Sequence, residues 1–122
     1  MENCLCNYNP YFHKVTALEQ VGGETPTGVN MTITNNTNIG DLAYFELVLT
    51  VNPNTVVTGT PLPYTLTING ETAKLLNNVG LPIYTNRLNV RKRYYGRYVV
   101  PETGDPYVIL LNTPSNIQYA RP

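Results

Sequence analysis

Period-two alternation, with no helical period to rival it, restricts this chain more than any other feature. From Leu42 to Val51, residues Ala43, Phe45, Leu47, Leu49 and Val51 share one parity; Tyr44, Glu46, Val48 and Thr50 share the other. Successive strand side chains point to opposite faces, so this is a strand with one apolar face turned to a core. Val29, Met31 and Ile33 alternate with Asn30, Thr32 and Thr34 in the same way. A weaker alternation runs from His13 to Val21, and a Pro61-Leu62-Pro63 entry leads into Tyr64–Ile68. Asn69-Gly70 then stands before Glu71–Leu76, and both residues accept the positive φ of a type I′ hairpin turn. Glu71–Leu76 also holds helix formers, so a single helical turn competes there. The stretch Arg87–Val100 alternates as one long strand, and Tyr107–Leu111 reads as a central strand buried on both faces.

These segments, with turn signals between them, predict an all-β domain: a single antiparallel β-sandwich (jelly-roll or Ig-like) or a small barrel. Residues 1–12 read as an extended N-terminal arm, 13–112 as the domain and 113–122 as a C-terminal tail. Phe45, Leu47, Leu49, Leu66, Ile68 and Leu110 are the expected core. A chain of 122 residues suffices for one domain with its own core, without disulfides or metals.

Eight basic residues balance eight acidic ones, and only 13% of residues are charged. A neutral chain exerts little long-range field on nucleic acid or anionic lipid, so neither is an expected partner. Near-zero net charge favours association instead. Met1-Glu2-Asn3 has no positive region before an apolar run, and no stretch reaches a membrane-span length. The expectation is synthesis in the cytoplasm without a signal peptide, under reducing conditions for Cys4 and Cys6.

Catalytic chemistry finds little to use. His13 is the one histidine and the carboxylates are scattered. Cys4, Cys6 and His13 supply three metal ligands where structural zinc takes four. The Gly22–Gly28 loop lacks the ending of a phosphate loop, and no helix follows it. No catalytic, cofactor-binding or metal set is expected. Asn30-Met31-Thr32 and Asn35-Asn36-Thr37 match glycosylation sequons by chance in an Asn/Thr-rich chain.

Two features point to contact with other subunits. Arg91, Arg93 and Arg97 share a parity with Tyr95 between them, a stripe suited to an acidic neighbour or to a solvated face with cation–π contacts. The arm carries Tyr8, Tyr11 and Phe12, large groups that a free tail leaves wet. Cys4 and Cys6 on that arm are placed for an intermolecular disulfide; idle thiols on a disordered terminus are the plain alternative.

A Cys-bearing N-terminal arm ahead of a β-domain resembles endospore appendage subunits. That resemblance rests on Cys4 and Cys6 and implies that the arm's cysteines join one subunit to the next. The adjacent Cys-Cys pair of that family is absent from this chain. A phage virion component, such as a capsid decoration or fibre protein, fits equally and needs no cysteines. The expectation is a non-enzymatic structural subunit in a homo-oligomer, or among other structural proteins of one particle, ending in a virion or on a cell or spore surface. A carbohydrate-binding module is the alternative, because ten tyrosines and many Asn side chains suit sugar stacking and hydrogen bonding.

Overall fold

The computed structural model describes residues 12–53 and 59–112. Seven strands form in chain order: β1 (Phe12–Val21), β2 (Gly28–Ile33), β3 (Tyr44–Leu49), β4 (Tyr64–Ile68), β5 (Glu71–Leu76), β6 (Arg93–Val99) and β7 (Tyr107–Leu110). No α-helix occurs among the described residues. Of the two architectures expected, the ladders trace the barrel: the strands close in the order β1-β2-β4-β5-β7-β6-β3.

The hairpin at Asn69-Gly70 forms as its chemistry demands. Ile68 pairs with Glu71, and the two turn residues have φ of 55° and 80°. Glu71–Leu76 is therefore a strand. The inner faces of all seven strands meet in one core. Val29, Met31, Leu47, Leu49, Leu66, Ile68, Leu75, Val108 and Leu110 are fully buried, with Phe45 at 3% exposure. Every residue expected in the core lies there.

Three expectations need correction. The barrel is not purely antiparallel: β1–β3, β2–β4 and β5–β7 are parallel ladders. Parallel neighbours need a crossover, and here each crossover contains another strand of the barrel instead of a helix. Secondly, Arg87–Val100 is not one strand. It becomes β-structure only at Arg93, and the segment before it turns through Arg91, whose φ is 71°. The Arg91 N–H donates to the Leu49 carbonyl (2.9 Å), which anchors that turn against the end of β3. Thirdly, Tyr107–Leu110 is buried on one face only.

The weak alternation of the first strand has a cause. A bulge between Val15 and Ala17 flips the parity, so His13 and Val15 face inward before it and Leu18 packs on the core after it. Phe12–Val15 pair with β3, and Val15–Val21 pair with β2. Phe12 was expected in the arm; it is the first residue of β1.

Gly96 faces inward between the buried rings of Tyr94 and Tyr98. A Cβ there would stand 3.0 Å from Leu110 Cδ2 and 3.1 Å from Val108 Cγ1. The missing side chain is what lets β7 pack against β6 at this level.

Candidate assembly surface

The outer wall of β3 and β6 is built from two cross-strand rows. Tyr44 stands opposite Arg97, and Glu46 opposite Tyr95. Between them, Phe45 pairs with Gly96; both face inward, so only backbone shows on the outside. The result is a trough of about 590 Å³ lined by Leu42, Ala43, Tyr44, Phe45, Glu46, Tyr95 and Gly96. Its walls are apolar and open to solvent: Tyr44 is 57% exposed, Leu42 48% and Tyr95 43%.

The arginines are held by this chain itself. Arg93 Nη1 donates to Glu46 Oε1 at 2.9 Å, and its guanidinium lies 5.5 Å from the Phe12 ring centroid. The Arg97 guanidinium sits 4.8 Å from the Tyr44 ring centroid, and Nε donates to the Leu42 carbonyl at 3.1 Å. An exposed ion pair of this kind adds only about 0–1 kcal/mol to stability. Its effect is positional: each guanidinium is pinned beside an aromatic ring and fixes one wall of the trough.

Leu42 holds an unusual conformation, with φ of 70°. A left-handed leucine costs roughly 1–2 kcal/mol. Its N–H donates to the Tyr98 carbonyl at 2.7 Å, and its own carbonyl accepts from Arg97. These bonds hold the strained backbone and leave an apolar side chain exposed at the head of the trough.

The structure brings Phe12, Arg93, Tyr95 and Arg97 onto this one wall. Arg91 is not with them. The turn before β6 removes it from the strand, so the three-arginine stripe is in fact a pair. Tyr8, Tyr11, Cys4 and Cys6 lie outside the described residues. Leu42, Tyr44 and Gly96 belong to the surface, yet alternation alone passed over them. Tyr44 had a signal, an aromatic on the outer parity of the most regular strand. Gly96 had another, a lone glycine inside a strand flanked by tyrosines.

His13 is enclosed. It is 1% exposed, its Nδ1–H donates to the Thr34 carbonyl at 2.6 Å, and its ring meets Phe45 edge-on at 5.2 Å. No group of three potential metal ligands occurs among the described residues. A second, smaller cleft of about 310 Å³ is lined by Glu19, Val21, Thr27, Gly28, Asn30, Pro63, Thr65 and Thr72. Its polar groups are partly committed to one another. Thr65 Oγ1 donates to Asn30 Oδ1 at 2.9 Å, and Asn30 Nδ2 donates to Thr67 Oγ1 at 3.0 Å.

Comparison with family models, with curated proteins and with solved structures gives no match for this chain.

Proposed function

We propose that this chain is a non-enzymatic structural subunit that self-assembles into, or decorates, a particle or filament. The observation that carries the reading is the aromatic trough. Solvent-exposed Leu42, Tyr44 and Tyr95 stand together on one wall, with Arg93, bonded to Glu46, and Arg97, bonded to the Leu42 carbonyl, beside them. Scattered exposed apolar residues are ordinary, whereas a contiguous group rimmed by polar side chains marks an interaction surface. Tyrosine and arginine are the side chains that most often anchor such contacts. Zero net charge removes the repulsion that would otherwise keep copies apart. His13 supports the non-enzymatic part, because its ring is spent on a core hydrogen bond and an aromatic contact. A virion, a spore surface and a cell-surface appendage are the assemblies this reading covers.

The carbohydrate-binding reading keeps one observation of its own, the amide- and hydroxyl-lined cleft at Asn30, Thr65 and Thr72. No aromatic ring lines that cleft, so it offers no stacking platform. Size-exclusion chromatography with light scattering, followed by electron microscopy, separates the two readings. A structural subunit elutes as large or polydisperse species that form regular particles or filaments. A monomer that binds a glycan array overturns the proposal in favour of the alternative.

A further inference from the structure

We infer that the trough on β3 and β6 is the docking site for the N-terminal segment, residues 1–11, of a second copy of this chain. This inference rests on the assembly reading above and deepens it by naming both halves of the joint.

The shape of the site comes first. The trough crosses the strands, because Tyr44 flanks it on one side, the Glu46–Tyr95 row flanks it on the other, and its floor is the Phe45–Gly96 backbone. A volume of about 590 Å³ accepts large side chains, and its walls are two tyrosines and a leucine. The occupant must therefore present aromatic or apolar side chains from an extended chain. Residues 1–11 carry Leu5, Tyr8 and Tyr11 and no basic group besides the amino terminus. A tyrosine seated there buries its ring against Tyr44 and Tyr95. Its hydroxyl comes within reach of Glu46 and Arg93, which supply an acceptor and a donor.

The donor lies in a second copy for a geometric reason. Phe12 pairs with Glu46 in a parallel ladder, so β1 enters the sheet alongside β3. At Phe12 the direction of β1 lies in the plane of the sheet, along its strands, whereas the trough runs across them. A segment that lies across β3 and β6 on their outer face is perpendicular to that direction, which favours a donor from outside the barrel. Eleven extended residues reach roughly 36 Å, ample to span from one barrel to the next. The end of the described chain stands close by, where the Tyr95 N–H donates to Asn112 Oδ1 at 2.8 Å. Leu111 N–H donates to the Tyr95 carbonyl, and the row Phe12–Glu46–Tyr95–Leu111 spans about 14 Å of wall at ordinary strand spacing. One wall thus both emits the segment and receives it, which is the geometry of a repeating head-to-tail joint.

The test uses two full-length variants. Tyr8→Ser with Tyr11→Ser keeps the trough and spoils the segment. Tyr44→Ser with Tyr95→Ser keeps the segment and spoils the trough. Each alone should need a protein concentration about tenfold or more higher than wild type to assemble. An equimolar mixture should form one-to-one dimers by light scattering, since one good segment then meets one good trough. Circular dichroism checks that each variant stays folded. A synthetic peptide of residues 1–11, titrated into the Tyr8/Tyr11 variant, should shift the amide resonances of Tyr44, Tyr95 and Gly96. Wild-type assembly together with undiminished assembly of either variant overturns the docking site and leaves the assembly reading standing. So does a mixture that stays monomeric, or a peptide that shifts none of those amides. A monomeric wild type overturns both.

Discussion

Two of the buried core tyrosines, Tyr64 and Tyr94, make opposite predictions about removal of a single oxygen. Tyr64 is 1% exposed and its hydroxyl has no hydrogen-bond partner among the described residues. Tyr94 is equally buried, but its hydroxyl accepts the Asn89 N–H at 2.7 Å. A buried polar group without a partner costs about 1–3 kcal/mol of desolvation. Tyr64→Phe deletes that cost at the price of a small void, so it should stabilise the barrel by about 0.5–2 kcal/mol. Tyr94→Phe instead strands the Asn89 N–H and should destabilise by about 0.5–1.5 kcal/mol. Urea titrations at pH 7 give both values from shifts in midpoint at constant slope.

Alkali sharpens the contrast. Burial raises the Tyr64 pKa well above the ordinary tyrosine value of about 10, and nearby Tyr94 raises it further. Burial also raises the Tyr94 pKa, opposed by the bond from Asn89. A folded-state pKa above the unfolded value means that the stability is fully present below pH 10 and is lost as pH rises through the folded pKa. At pH 11 the unfolded state gains about 1.4 kcal/mol from ionising one tyrosine of ordinary pKa. The Tyr64→Phe variant escapes that loss, so its advantage over wild type should widen by about 1.4 kcal/mol between pH 7 and pH 11. Loss of more than about 1 kcal/mol in Tyr64→Phe at pH 7, or an advantage that stays constant with pH, would mean that the Tyr64 hydroxyl is not an unpaired buried group.

Leu47→Ala should cost about 2–5 kcal/mol in urea unfolding, because the side chain is fully buried; a loss under 0.5 kcal/mol would place it elsewhere. Leu42→Gly relieves a left-handed backbone and removes an exposed side chain, so thermal stability should hold or rise while light scattering shows weaker assembly. Arg93→Glu faces Glu46 with a like charge and frees the Phe12 ring, so assembly should fall sharply while the unfolding midpoint moves by no more than about 1 kcal/mol.

Arg91 shows where the sequence-level reading of the surface stopped. Parity assigns it to the same face as Arg93 and Arg97, and parity is valid only while the backbone stays extended. The left-handed backbone of Arg91 sits in a turn, and its N–H reaches the Leu49 carbonyl on a strand 42 positions away, a contact only the folded barrel supplies. The first strand carries the same lesson. Its ragged alternation comes from a bulge that lets one strand serve β2 with one half and β3 with the other.

Features that neighbouring residues decide together were legible along the chain. Alternation set the inner faces of β2, β3 and β4, and Asn69-Gly70 set the hairpin, since both depend on the conformational preferences of a few adjacent residues. Strand order, the three parallel ladders and closure into a barrel were decided only by the tertiary structure. They depend on which distant edges meet, and the energy of an edge pairing is nearly the same for many partners until a whole core must close without gaps. The trough belongs to that second class. Tyr44, Glu46, Tyr95 and Arg97 come from two strands almost 50 residues apart, and only the register of β3 against β6 lines them into walls.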